Sequence, residues 1–439
     1  MALAAGRRPR RDSPARYCTA GGVVMARGLI VCVHDGFYGA GTGAGYANRA
    51  FLRATVRHLA PRVPLVVAPV YLAPASPEYD AQWAGDTARM LRPVGAHVAP
   101  LSNGTDGVTR FGGLAAFQHL ADDTGRVLSD IAARLDEPPA VVAFDVPFSG
   151  VAMHLPSTYL PHLTYVPRSS ALQHDPDNSE RVDYERRGLA AAVAGGARVG
   201  VISAYMRRHL QEELAVPAGA LIDLPDGLTA DERRALPPAD DLVPAAGRAD
   251  FLLALGRAEP YKGFEDLLDA LALLRSDYPG GRLPHLVLAA VTDSQSASPY
   301  QRQLADRAAE LGVDVSLHTR FDPRLRTLLA HPGLRAVVVP SRQEPFGRIP
   351  LEAFAAGAAP VVATTAGGLA EQVTDGLTGF TAEPGRPDSL AAAIDRALAT
   401  TPKQRDRMRR AGQDALTSRF DHDAAVGRFL RTVAPWAVR

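Results

Sequence analysis

Pro340-Ser-Arg-Gln-Glu-Pro-Phe-Gly-Arg-Ile-Pro-Leu-Glu-Ala-Phe-Ala-Ala-Gly357 follows directly on the apolar run Ala336-Val-Val-Val339 and opens into a helical pattern. A strand, a loop and a helix in that order form the repeating unit of a parallel α/β sheet. A helix beginning here leaves the amides of Phe346, Gly347 and Arg348 without intrahelical partners, at the carboxyl end of the sheet. Such a position suits a phosphate or a hydroxyl-rich ligand. Glu344 lies in the loop and Glu352 eight residues later on the helix. Two carboxylates so spaced can accept paired hydroxyl donors at opposite ends of one elongated ligand. The plainer reading is a surface helix with two solvated glutamates.

The same alternation extends both ways from this stretch. Strands fit Phe251–Leu255, His285–Ala290, Val313–Leu317 and Ala359–Ala363; helices fit Phe264–Leu274, Tyr300–Leu311, Pro350–Ala356 and Asp388–Ala399. In the first half, strands fit Gly28–His34, Pro64–Tyr71, Ala140–Phe144, Leu163–Val166 and Arg198–Ser203, with helices over Tyr46–His58 and Tyr205–Leu214. The Asp226-Gly227 turn and the Ala-, Pro- and Asp-rich stretch after it separate two units of similar size. At 439 residues the chain exceeds what one core usually serves, so two α/β domains are expected.

After the first strand of the second unit comes Gly256-Arg-Ala-Glu-Pro-Tyr-Lys-Gly-Phe264. Arg257 offers a planar fork of donors and Lys262 a mobile point charge, a pair that suits a diphosphate. Taken without a ligand, the stretch is a Gly-Arg turn and a capping lysine. In the first unit, Gly36-Phe-Tyr-Gly-Ala-Gly-Thr-Gly-Ala-Gly45 joins a strand to a helix. Gly39-x-Gly41-x-x-Ala44 fits a loose dinucleotide fingerprint, but the second strand runs on into Leu72-Ala-Pro74 with no acid for a ribose before Glu78, so an NAD site is disfavoured. Gly41 and Gly43 would instead let backbone amides approach a phosphate or an acceptor.

The Pro-Ser-x-x-Glu-Pro-Phe-Gly context with Glu-x7-Glu over residues 340–352 resembles the retaining glycosyltransferases of family 4, which have the GT-B fold. Gly367-Gly-Leu-Ala-Glu-Gln-Val-Thr-Asp-Gly-Leu-Thr-Gly-Phe380 is similar to a further stretch of that family, and Leu221-Ile-Asp-Leu-Pro-Asp-Gly-Leu228 to its turn closing the first domain. The resemblance implies two Rossmann-like domains facing each other across a cleft. Its layout would be a disordered basic leader over 1–26, an acceptor domain over 27–227, a linker over 228–249, a nucleotide-sugar domain over 250–418, and a helix over 419–439 returning to the first domain. It further implies sugar transfer with retention from a nucleoside-diphosphate sugar, UDP-linked before GDP-linked, to a small hydroxylated acceptor, with no cofactor and no metal. Glu344 would contact the donor sugar, Glu352 the ribose diol, and Arg257 and Lys262 the diphosphate; Arg257, Lys262 and Glu344 would be catalytic. Gly41, Gly43, Phe346, Gly347 and Arg348 complete the expected donor site.

The acceptor side is expected at His34, Asp145 and Arg168, with Ser169 beside them. Relatives often carry a histidine near Leu163-Thr-Tyr-Val-Pro-Arg-Ser169, where this chain has none. A pseudo-glycosyltransferase, a sugar phosphorylase and a nucleotide-sugar sensor are the alternatives. His174-Asp-Pro-Asp177 looks like metal-ligand material but reads better as a solvated polar loop.

Composition narrows the rest. With 48 basic and 47 acidic residues the formal charge is +1, which gives no case for nucleic-acid or anionic-membrane partners. The only cysteines, Cys18 and Cys32, form no disulfide framework, so a cytoplasmic protein is expected. No apolar run is long enough to span a bilayer. Arg7, Arg8, Arg10, Arg11 and Arg16 are followed by no apolar core of a signal peptide, and Met25 could be the start. Few aromatics favour a small acceptor over a lipid-linked one. The Ala-, Arg- and Pro-rich composition points to a high-GC bacterium and a role in secondary metabolism.

Overall fold

The computed structural model describes residues 27–105, 113–234, 239–245, 247–277, 283–292, 296–358 and 360–439. The expected leader, Met25 and parts of the expected linker lie outside the described residues. Two parallel sheets with helices make up the molecule, as the α/β reading requires.

The first sheet comprises β1 (Leu29–Val33), β2 (Leu65–Pro69), β3 (His97–Val98), β4 (Ala140–Phe144), β5 (Leu163–Val166), β6 (Arg198–Val201) and β7 (Leu221–Asp223), in the order β3-β2-β1-β4-β5-β6-β7. Its helices are α1 (Gly43–His58), α2 (Ala81–Leu91), α3 (Leu114–Ala132), α4 (Ala171–His174), α5 (Ser179–Ala194) and α6 (Ala204–Glu212). β1 sits at the centre: Leu29 pairs in register with Leu65 on one side and Ala140 on the other, and all five of its residues are buried. Covered on both faces, such a strand reads as an unbroken apolar run.

The second sheet comprises β8 (Phe251–Arg257), β9 (His285–Thr292), β10 (Val315–Arg320), β11 (Leu334–Val339), β12 (Val361–Thr364) and β13 (Gly379–Ala382), in the order β10-β9-β8-β11-β12-β13. Around it lie α7 (Phe264–Asp277), α8 (Pro299–Leu311), α9 (Ile349–Ala356), α10 (Leu369–Gln372) and α11 (Pro387–Leu398). Both sheets reverse strand order beside their first strand, between β1 and β4 and between β8 and β11. Ligands of doubly wound sheets bind in the crevice at that switch point, off the carboxyl ends of the strands.

The chain then continues through α12 (Pro402–Ser418) and α13 (His422–Val433). α13 packs on α1, with Phe429 edge-on to Phe51 at 6.0 Å, and Phe51 in turn meets Phe144 at 4.6 Å. The Ala60 N–H donates to the Ala437 carbonyl at 2.8 Å, so the final turn is tied to the first domain as well.

Several elements differ from the sequence expectation: in the first domain β3, β7 and the helices α2, α3 and α5 were not among the expected elements, and three further cases have a clear local cause. α1 starts at Gly43, not Tyr46, because the Thr42 side chain accepts from the Gly45 N–H at 3.1 Å and draws the helix back into the glycine loop. β13 carries a glycine and no apolar run, yet pairs with β12 over four residues. α12 was not expected; its start is a Thr401–Gln404 capping box, with Pro402 at the first helical position.

Candidate active site

A cleft of about 440 Å³ opens between the carboxyl edges of the two sheets, within the size range of small-molecule sites. Gly41, Gly43, His34, Asp145 and Arg168 line its first-domain wall; Arg257, Lys262, Glu344, Phe346, Gly347 and Arg348 line the opposite one.

On the second-domain wall the strand ends set the charges. Arg257 is the last residue of β8 and donates to the Tyr261 hydroxyl. Lys262 closes a single turn of 3₁₀-helix, and its Nζ donates to Glu344 Oε2 at 2.5 Å. The loop carrying Glu344 is latched to that turn by the Arg342 N–H, which donates to the Tyr261 carbonyl at 2.8 Å. Gly347 is obligatory in this loop. Its φ is +86°, and a Cβ there would lie 2.8 Å from Glu344 Cγ and 2.7 Å from Leu369 Cδ2. Burial lifts the Tyr261 hydroxyl above its ordinary pKa despite the neighbouring Arg257 and Lys262, so it stays neutral.

Glu352 stands in the first turn of α9, facing Arg348 Nε at 3.4 Å and Arg326 Nε at 3.3 Å, two arginines that line the cleft. Arg348 in turn reaches the segment after β7, donating to Glu232 Oε1 at 2.6 Å and to the Gly227 carbonyl at 3.1 Å. Burial would raise the Glu232 carboxyl, but Arg348 and the Thr229 donors outweigh it and hold it below the usual range. In this arrangement Arg348 and Glu352 belong to an ion network at the cleft edge, and Arg257, Lys262 and Glu344 supply the other charges along the same wall.

The first-domain wall holds a buried polar network. His34 Nδ1 lies 2.9 Å from Asp145 Oδ2, Asn48 donates to the same oxygen at 2.6 Å, and Arg168 Nε lies 3.3 Å from Asp145 Oδ1. Arg168 also donates to both oxygens of Asp226. Burial opposes ionisation of Asp145, but His34, Arg168 and Asn48 together hold its carboxyl below the ordinary value. Asp145 has φ +78°, rare for a residue with a side chain, which marks a backbone held in place by this network. Asn48, Asp226 and Asp35 were not legible as site residues. Asp35 receives the Gly36 N–H at 2.7 Å and the Thr42 hydroxyl at 2.8 Å, and so shapes the glycine loop.

His174 corrects the sequence reading. It is not solvated loop: it ends α4, lines the cleft and packs its ring against Tyr261 at 4.7 Å. Burial first, then the charges of Arg257 and Lys262, push its imidazole down to about 4. Among the described residues no group of three or more His, Cys, Asp or Glu side chains could hold a metal ion, and no helix is long and apolar enough to cross a membrane.

Residues 243–415 match the family model described as glycosyl transferases group 1. The chain is 31% identical over 245 residues to the lipopolysaccharide 1,2-N-acetylglucosaminetransferase of Salmonella typhimurium, covering 55% of this chain and 62% of that one. It is 39% identical over 229 residues to the D-inositol 3-phosphate glycosyltransferase of Geodermatophilus obscurus, covering 50% and 47%. The chain thus spans about half to three-fifths of these curated relatives. Among solved structures, the sucrose-phosphate synthase of Thermosynechococcus elongatus superposes with a TM-score of 0.71 at 19% identity, covering 93% of this chain and all of that one. Anabaena HepE, in complex with UDP-glucose, superposes at 0.63 and 21% identity, covering 93% and 99%.

Proposed function

On the premise that residues 243–415 belong to the glycosyl transferases group 1 family and that the whole chain has the GT-B fold, we propose that the protein transfers a sugar, with retention, from a nucleoside-diphosphate sugar to a small hydroxylated acceptor. One observation carries this reading: Arg257, Lys262 and Glu344 converge on one wall of the cleft at the carboxyl end of β8 and β11. A diphosphate docked on Arg257 and Lys262 would release Lys262 from Glu344, freeing that carboxylate to accept from the donor sugar's hydroxyls.

As the acceptor oxygen attacks C1, the bond from C1 to the diphosphate oxygen breaks and its electron pair stays on that oxygen. The acceptor's proton passes to the same oxygen from the same face. Arg257 and Lys262 stabilise the charge that builds there, and preorganised cations in a closed cleft are effective in that role. His34, Asp145 and Arg168 form the floor against which the acceptor rests. A UDP-sugar is the first donor to try, since Anabaena HepE, of the same fold, was solved with UDP-glucose.

Thermal unfolding with saturating UDP, GDP, ADP and TDP, in the wild type and in an Arg257→Ala/Lys262→Ala variant, tests the proposal. A ligand at about 100 times its Kd adds about 2.7 kcal/mol, several degrees at this size. A shift with one nucleotide that disappears in the variant is the expected result. No shift with any of the four sinks the donor site.

A further inference from the structure

His174 stands on the first domain but meets the charged wall of the second. α4, the short helix it ends, is pinned to the first domain: Ser170 Oγ lies 2.7 Å from His209 Nε2, Gln173 Nε2 donates to Met206 Sδ at 3.3 Å, and the Ala171 N–H donates to Glu185 Oε2 at 2.7 Å. From that base the ring crosses to Tyr261, whose hydroxyl accepts from Arg257 and whose carbonyl anchors the loop of Glu344. His174 Nδ1 is buried and has no hydrogen-bond partner. A buried ring nitrogen left without a partner is costly, and a contact with Tyr261 alone would be served as well by an apolar ring.

We propose that His174 is the third arm of the diphosphate site, carried across the cleft from the opposite domain, and that its ring hydrogen-bonds the phosphate oxygens held by Arg257 and Lys262. This rests on the nucleoside-diphosphate reading of the cleft. The groups facing the ring are Arg257 and Lys262 from the second domain, Arg181 from α5, Glu344 from the loop after β11, and the neutral Tyr261. Burial first, and then three cations against one carboxylate, keep the imidazole neutral when no anion is present. A diphosphate adds negative charge that offsets those cations and supplies an acceptor for the ring, so binding should draw a proton onto His174. The same contact makes the site complete only when the two domains approach.

The test uses calorimetry of UDP into the full chain near pH 6, in two buffers of different ionisation enthalpy, to count protons taken up on binding. His174→Gln is the comparison, because its amide keeps a donor but cannot titrate. UDP's own phosphate ionisation is common to both proteins and cancels in the difference. The wild type should take up about half a proton more per UDP than the variant. In the wild type, NMR of the His174 ring should show its titration midpoint rising by about two pH units, from about 4 toward 6, when UDP is added. Equal proton counts, or a midpoint unmoved by bound UDP, overturn the proposal and leave His174 as packing. If UDP, GDP, ADP and TDP all fail to bind the wild type, the nucleotide reading itself falls and takes this inference with it.

Discussion

Under the proposed function, Lys262 and Glu344 illustrate how single residues divide between holding the fold and serving the reaction. Their contact at 2.5 Å lies on the cleft surface, not inside the core, so breaking it should cost activity before stability. Lys262→Met is expected to lower kcat by about 10²–10³-fold, the loss typical of one electrostatic donor at a developing charge, with the urea midpoint little changed. Steady-state kinetics beside urea unfolding checks it. Asp145 is the opposite case, buried against His34, Asn48 and Arg168. Asp145→Ala should cost about 2–3 kcal/mol. That is short of the 3–5 kcal/mol of a wholly unpaired buried ion, because Asp226 still neutralises Arg168. The Asp145 carboxyl is depressed in the folded state, so its stabilisation is complete above the ordinary unfolded value near 3.9 and fades as pH falls through the lower folded one. The gap in urea midpoint between wild type and Asp145→Asn should therefore be full at pH 7 and narrow progressively as the pH is taken below about 3.9.

Among the elements, loops and helix starts do the positioning. Gly36 has φ +93°, and a Cβ there would fall 2.1 Å from the Gly45 carbonyl oxygen, so Gly36→Ala must move backbone. The unfavourable φ alone costs about 1–3 kcal/mol, and the clash adds to it, which a lowered urea midpoint would register. α6 is capped from outside its own domain: Glu371 accepts from the Ala204 N–H at 2.9 Å and the Tyr205 N–H at 2.7 Å. Removing it with Glu371→Ala should cost about 1 kcal/mol and loosen the domain contact. Chemical denaturation followed separately by the fluorescence of Trp83 and Trp436, both in or against the first domain, and by far-UV signal would reveal the two domains parting. The strands and the loop of Glu344 were readable because apolar runs and glycine-bearing turns write directly into sequence. The partners of those residues were not. Nothing near Glu352 in the chain announces Arg326, nothing near Asp145 announces Asn48 or Asp226, and a lone histidine after Ser170 cannot show that the fold lays it on Tyr261.

At the scale of the molecule, the two domains are joined by buried polar contacts as well as by apolar ones. Ser203 donates to the Pro345 carbonyl at 2.8 Å, and Arg348 ties α9 to Gly227 and Glu232. These contacts set how far the cleft can open and hence, under the proposed function, when an acceptor would meet a bound donor. A double-mutant cycle of Arg348→Met with Glu232→Gln should return a coupling of about 1–3 kcal/mol in stability, since the pair shares one buried network.

The docking of α13 on α1 reaches into how the protein is made. The strands of the first domain emerge earliest during synthesis, and domains tend to fold as they emerge. Yet one flank of that domain, at Phe51 and Leu59, is covered in part by Phe429 and the turn around Ala437. On the ribosome the finished first domain must therefore wait, its flank open to water or to a chaperone, until about two hundred further residues, from the end of β7 to Phe429, have passed.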